Sequence, residues 1–187
     1  MKNKVYFITG NEGKAKYLAN FLGMEIERKK INLREIQSMN LEEIVQEKAR
    51  EAYKIIQAPV LVEDVALEFK ALNGLPGPFI KFFIDNMKLQ EVCDLLKDKN
   101  RQATARCIFG YFDGKRELYF EGFLDGEIAK SPRGESGYGW DQIFIPNGYN
   151  RRTRAQLSPE EDKETYLKIK PFKKLKTFLS SIEEGVS

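Results

Sequence analysis

The apolar run from Val5 to Thr9 stops at Gly10-Asn11, and from Lys14 to Leu22 the pattern becomes that of a helix ended by Gly23. A short apolar run closing on a tight turn marks a buried strand, and a glycine after the last helical residue is a stop signal. A strand–turn–helix opening commits the chain to layered α/β structure, because the strand needs a neighbour and the helix needs a sheet to cover. Later segments keep the alternation. Glu25 to Ile31 reads as a second strand, and past Asn40 the residues Leu41, Ile44, Val45, Ala49, Ala52, Ile55 and Ile56 recur at helical spacing up to Pro59. Val60 to Phe69 reads as a strand broken at its middle by Glu63-Asp64, and Asn73-Gly74-Leu75-Pro76-Gly77-Pro78 as a long surface flap. Phe79 to Leu96 supplies another helix. Thr104 to Phe112 and Leu118 to Leu124, joined through Asp113-Gly114-Lys115, form the clearest hairpin. With 187 residues, 42% of them hydrophobic, the chain can fill one core but is short for two, so one α/β domain with a mixed sheet is expected over residues 1–187.

Charge and residue type then narrow the chemistry. Lys and Arg total 31 against 28 Asp and Glu, a net charge of +3, far from the excess of a nucleic-acid coat but open to a small anionic ligand. There is no histidine, which removes the imidazole base, the Ser-His-Asp triad and histidine-ligated zinc. Acid–base or metal chemistry must run on carboxylates. Cys93 and Cys107 fall in segments read as helix and strand, which suits buried thiols in a reducing cytoplasm better than a disulfide. The start MKNKVYFITG lacks the h-region of a signal peptide, and no stretch approaches the roughly 20 apolar residues that cross a bilayer.

Three segments carry candidate chemistry. Thr9-Gly10-Asn11-Glu12-Gly13-Lys14 hands a strand over to a helix N-terminus, where unpaired N–H groups and the helix dipole favour an anion and Lys14 adds a point charge. The spacing of a P-loop is not met, and the same residues would serve a plain helix start. Glu63-Asp64 sits inside Val60-Leu61-Val62 and Val65-Ala66-Leu67, so two carboxylates are placed at the edge of a core, where charge is costly unless paired or metal-bound. Neighbours in a strand point to opposite faces, so the two need not share a role, and an acidic turn would look alike. A hard divalent cation such as Mg²⁺ takes such oxygens and leaves room for phosphates. Finally, Ser131 to Asp141 holds three glycines and the only tryptophan, a loop whose backbone a ligand could approach beside a stacking ring, or one simply plugged by its aromatics. The basic residues beyond Asn150 read mostly as a solvated face.

In this order, these pieces resemble the inosine triphosphate pyrophosphatase family, enzymes that hydrolyse non-standard purine nucleoside triphosphates such as ITP, dITP and XTP to the monophosphate and pyrophosphate. Four segments carry the resemblance: Thr9 to Lys14; Leu61-Val62-Glu63-Asp64-Val65-Ala66-Leu67; Ala71-Leu72-Asn73-Gly74-Leu75-Pro76-Gly77-Pro78-Phe79-Ile80-Lys81; and Gly137-Tyr138-Gly139-Trp140-Asp141. The resemblance implies a long curved mixed sheet flanked by helices, with two lobes around a central nucleotide cleft, and a cytoplasmic homodimer with no nucleic-acid or membrane partner. It implies that Thr9, Asn11 and Lys14 hold the phosphates, that Glu35 and Asp64 bind Mg²⁺, and that Glu63 supports them or orients water. Lys48 and Lys81 would contact the nucleotide, Tyr138 would stack on the purine, and the substrate set extends to Gly10, Glu12, Gly13, Val65, Gly139, Trp140, Asp141, Lys163 and Lys168. One departure stands out. Family members carry a lysine and then Ser-His-Arg before the last helix, whereas here Lys163 is followed by Glu164-Thr165-Tyr166-Leu167-Lys168-Ile169-Lys170-Pro171. That His-Arg pair reads the purine near its 6-oxo group, so the replacement bears on base recognition, with Lys168 or Lys170 as a substitute donor. The readings left beside this one are a pyrophosphatase of altered base specificity and a nucleotide-binding sensor without catalysis.

Overall fold

The computed structural model describes residues 4–23 and 26–183. The opening strand is β1 (Tyr6–Ile8), followed by helix α1 (Glu12–Leu22). Asn11 caps α1 by accepting the Lys14 N–H through its side chain, and Gly23 ends it in the left-handed conformation. The helix thus starts two residues before the expected Lys14, because the Asn11 cap draws Glu12 and Gly13 into its first turn. Next come β2 (Glu27–Lys29), α2 (Leu41–Ile56) and β3 (Val60–Phe69). The expected second strand is trimmed to three residues, and its proposed first residue, Glu25, lies outside the described residues.

β3 corrects the first of the strand expectations. It runs without a break through Glu63-Asp64, since all its residues stay buried or half-buried and each carboxylate finds a cation. The Gly/Pro segment also departs from an exposed flap. After a 3-10 turn at Lys70–Leu72 the chain folds back, and β4 (Pro76–Gly77) pairs antiparallel with β3, Leu67 opposite Gly77. Pro76 and Gly77 are buried there. The single helix expected from Phe79 to Leu96 is two: α3 (Ile80–Asn86) and α4 (Leu89–Asp94). Asn86 turns its side-chain amide onto the Phe82 carbonyl, Met87 is extended, and Glu91 accepts the Lys88 N–H to start the second helix. The hairpin is longer than its sequence signal, β5 (Gln102–Phe112) and β6 (Glu117–Ile128), and is followed by β7 (Phe144–Pro146), α5 (Pro159–Ile169) and α6 (Phe172–Glu183).

The strands form one mixed seven-stranded sheet in the order β2-β1-β3-β5-β6-β7, with β4 on β3. β1 is parallel to β2 and β3, while β7 is antiparallel to β6. The chain divides into two compact units: Met1–Asp64, Ile108–Glu121 and Pro171–Ser187 form one, Val65–Cys107 and Gly122–Lys170 the other. In the first, Phe109 lies 6.2 Å from Phe7 and 5.7 Å from Phe172, and Tyr111 meets Phe178 edge-on at 4.8 Å. Each such buried ring contributes about 2 kcal/mol or more of hydrophobic stabilisation. Helix α2 is seated by Gly110 of β5, where a Cβ would lie 2.5 Å from Val45. The second unit buries Phe69, Ile80, Val92, Leu96 and Phe144. Both Cys93 and Cys107 are buried and form no disulfide, as the sequence implies. Among the described residues no helix is long and apolar enough to cross a membrane.

Candidate active site

The first unit gathers the phosphate and metal candidates. Thr9 follows β1, its hydroxyl accepting the Asn11 N–H at 3.1 Å, and the Asn11 side chain accepts the Lys14 N–H at 3.1 Å, so the turn is held by its own side chains. Gly10, Glu12 and Gly13 are exposed, and the first N–H groups of a helix have no acceptor within it. The Glu12 carboxylate is occupied by Arg28 of β2 at 2.9 Å, which leaves Glu12 a backbone role at the turn. Lys14, one turn into α1, reaches Glu63 of β3 at 3.2 Å, and the Glu63 carboxyl is almost fully buried.

The neighbouring carboxylate serves the other helix. Asp64 accepts from Lys48 of α2 at 3.2 Å, and Glu35 meets the same Lys48 ammonium at 2.6 Å. Strand alternation thus sends Glu63 to α1 and Asp64 to α2. Lys48 is aimed by α2, which is pinned by Val45 against Gly110 and by Arg50, whose guanidinium grips Glu117 of β6 with two bonds of 3.0 and 2.9 Å. Glu35 lies on the irregular stretch before α2, tied to that helix where the Arg34 N–H donates to Glu51 and the Ser38 hydroxyl to Glu43. Burial alone would lower the Lys48 pKa, but Asp64 and Glu35 outweigh it, and the ammonium is held charged, above its ordinary value.

Lys14 thus faces Glu63, while Lys48 faces both Glu35 and Asp64. This is where the fit to a divalent cation can be tested. The Glu35 and Asp64 oxygens already converge on one positive charge, and both are hard donors suited to Mg²⁺. No group of three acidic, histidine or cysteine side chains forms a full metal cage among the described residues. Two carboxylates with the remaining positions left to phosphate and water is the usual habit of Mg²⁺, so the residues fit it. Hollows of about 510 and 220 Å³ occur elsewhere, and none of these five side chains lines them.

In the second unit, the segment from Ser131 to Asp141 is an irregular loop preceding β7. Tyr138 is 77% exposed, which leaves its ring available for stacking. Trp140 is half-buried, and its indole N–H has no acceptor among the described residues. Asp141 is buried and works within the protein: one oxygen accepts from Arg154 at 2.7 Å and the other from the Tyr138 N–H at 2.7 Å. Burial pushes its carboxyl up from the ordinary value, against the opposing pull of Arg154. Gly137 has φ +89°, and a Cβ there would lie 2.6 Å from that of Asp141, so only glycine allows this close turn. Arg154, which the sequence hides among the basic residues after Asn150, is only 6% exposed. The sole signal for it was its place in a charged stretch, and burial of a charge is not legible there.

The remaining lysines divide. Lys81 on α3 is well exposed, with Asp85 at 4.0 Å, and Lys163 is exposed on α5. Val65 continues β3 half-buried. Lys168 is paired with Glu164 at 2.9 Å and donates to the Tyr149 hydroxyl at 3.2 Å. Lys170 does not suit the role of substitute base donor: it is 6% exposed, and its ammonium lies 3.4 Å from the Cys107 thiol, because it caps the end of α5 facing inward.

An α/β sheet carrying a helix start open to an anion, with paired lysines and carboxylates in the same unit, is an arrangement whose chemistry suits a phosphorylated ligand. The Ham1 family profile matches residues 5–178, and the chain belongs to that family. It is 40% identical over 186 residues to the inosine triphosphate pyrophosphatase of Yarrowia lipolytica, covering 96% of this chain and 97% of that one. It is 42% identical over 163 residues to a dITP/XTP pyrophosphatase of Methanopyrus kandleri, covering 84% and 86% of the two chains. Among solved structures, a HAM1 protein from Coxiella burnetii superposes with a TM-score of 0.84 at 27% identity, over 95% of this chain and 98% of that one.

Proposed function

We propose that this chain hydrolyses non-standard purine nucleoside triphosphates, ITP, dITP and XTP, to the monophosphate and pyrophosphate, with Mg²⁺. The observation that carries the reading is the meeting of Glu35 and Asp64 on one ammonium, Lys48, in the same unit as the Thr9–Lys14 turn. The relatives' names supply the substrate class.

In this reading the Thr9 to Lys14 turn receives phosphate oxygens through its backbone N–H groups and the Lys14 ammonium. Glu35 and Asp64 hold the cation. When bound, Mg²⁺ supplies charge neutralisation on the triphosphate and raises the acidity of a coordinated water. Lys48, held between Glu35 and Asp64, would offer its ammonium to a phosphate oxygen beside them. Glu63, paired with Lys14, is placed to orient the water that attacks the α-phosphorus as pyrophosphate leaves. Tyr138 stacks on the base, and exposed Lys81 and Lys163 offer ammonium groups to the nucleotide, as Lys168 does where it leaves Glu164 and Tyr149. A homodimer in the cytoplasm accompanies this activity, the latter in keeping with two buried cysteines that are not joined in a disulfide.

A change of base specificity is the second reading, favoured by one observation: Lys170 faces Cys107 and Lys168 is engaged by Glu164 and Tyr149, so neither stands in directly for an arginine fork. Pyrophosphate release across ITP, XTP, dITP, GTP, ATP, CTP and UTP, with and without Mg²⁺, separates the readings. Preference for ITP, XTP and dITP supports the first, flat rates across purines support the second, and no release with any triphosphate leaves the chain a nucleotide sensor.

A further inference from the structure

We propose that Arg154 is the positioning residue that sets base selectivity, by locking the Tyr138–Asp141 loop to helix α5; this rests on the reading that the loop meets the base. Each nitrogen of the guanidinium donates one bond. Its Nε donates to the Thr165 hydroxyl at 3.0 Å, one Nη to Asp141 at 2.7 Å and the other to Asp162 at 2.5 Å. Tyr166 lies beneath it, with the guanidinium carbon 5.6 Å from the ring centroid.

These partners come from two places, the loop (Asp141) and α5 (Asp162, Thr165, Tyr166), and Arg154 itself from the turn between them. The second Asp141 oxygen holds the Tyr138 N–H, so a continuous line of bonds runs from α5 through Arg154 and Asp141 to the backbone of the exposed ring. The same turn is fastened twice more: the Ala155 N–H donates to the Asp141 carbonyl at 3.0 Å, and the Ser136 hydroxyl to the Ala155 carbonyl at 2.7 Å. With each of its three nitrogens donating inside the protein and only 6% of the residue exposed, Arg154 is not placed to read the base itself. It fixes where Tyr138 stands relative to the loop's own turn and to the α5 segment that replaces Ser-His-Arg. A planar fork meeting three acceptors at set angles is a demand that lysine, with one ammonium, cannot meet.

The test uses Arg154→Lys, Arg154→Met and the milder Asp162→Asn, whose side chain is 41% exposed and whose loss is easier for the fold to bear. Three readouts are taken on the full-length protein: thermal unfolding, kcat and KM for ITP and ATP, and emission of Trp140, the only tryptophan, with and without IMP. The expected result for folded Arg154→Lys is an ITP-over-ATP preference reduced about tenfold, carried by KM with kcat within about twofold, and an altered Trp140 emission or IMP response. Asp162→Asn should move the same quantities in the same direction by less. If a folded variant keeps the wild-type selectivity and Trp140 signal, Arg154 is an internal ion pair only and the proposal is overturned. If Arg154→Met and Arg154→Lys do not fold, Asp162→Asn decides on the same criteria. A wild-type protein that releases no pyrophosphate overturns the parent reading and the selectivity claim with it, a different outcome from an active wild type with indifferent variants.

Discussion

Replacing Lys48 by methionine isolates the charge logic of the site. The ammonium lies 2.6 Å from Glu35 and 3.2 Å from Asp64, with side-chain exposures of 14%, 57% and 21% for the three groups. Taken alone, each contact is worth roughly 5 kcal/mol of Coulomb energy at an effective dielectric near 20. Most of that is offset by desolvation, and Glu35, more than half exposed, can swing into water. The net loss falls between an exposed pair, about 0.2–1 kcal/mol, and a broken buried one, about 3–5 kcal/mol. About 2 kcal/mol is the resulting figure, which for a chain of this length lowers Tm by about 4–8 °C. Methionine keeps the length and apolar stem of lysine, so packing is largely retained. What remains are two carboxylates facing one another with no cation between them, and a divalent ion can fill that place without first displacing an ammonium. Thermal unfolding with no metal and with millimolar Mg²⁺ reads this out: Mg²⁺ should raise the Tm of Lys48→Met by several degrees more than that of the wild type. Equal Tm values without metal, or a smaller Mg²⁺ effect in the variant, would refute the reasoning that Lys48 holds the cation's place.

Other expected outcomes follow from the same geometry. Asp64→Asn should lower kcat by about 100-fold or more while KM changes far less, as measured by steady-state pyrophosphate release, because it removes a cation ligand and not the phosphate turn. Gly110→Ala should destabilise by about 1–3 kcal/mol in denaturant unfolding, because the new Cβ would stand 2.5 Å from Val45 and push α2, with Lys48, off the sheet. For pH, burial tends to raise the Glu117 and Asp113 carboxyls, but Arg50 on Glu117, and Arg116 with its own and the Lys115 backbone N–H on Asp113, hold both below their ordinary values. The unfolded chain therefore takes up these protons first, and their stabilisation is complete above about pH 4.5 and lost as pH falls through the lowered values. Tm should be level from pH 7 to 5 and decline below about 4.5, with a shallower decline in Arg50→Met.

The elements that the chain announces locally were legible: the Gly23 stop of α1, the apolar stripe of α2, and the Asp113-Gly114-Lys115 hairpin turn all depend on neighbours in sequence. The errors share a cause. Glu63-Asp64 looked like a strand breaker because charge in an apolar run is costly, and only the arrival of Lys14 and Lys48 from two distant helices makes the strand continuous. Pro76-Gly77 looked like an exposed flap because neither residue favours a strand, yet its pairing with Leu67 and Glu68 is a tertiary event. At the site, the carboxylate pair and the phosphate turn could be read directly. Glu35 could not, since nothing near it in sequence marks it, and the family resemblance alone pointed there. Arg154 was hidden for the complementary reason, as its three acceptors lie between eight and thirteen residues away.

The central claim, that this chain splits non-standard purine triphosphates with Mg²⁺ held by Glu35 and Asp64, is tested most directly by product analysis with ITP. The account predicts IMP and pyrophosphate in equal amounts, formed with Mg²⁺ and not after its removal by chelation, and abolished in the double variant Glu35→Gln, Asp64→Asn. Release of IDP and inorganic phosphate, or turnover that survives in that double variant, would contradict it.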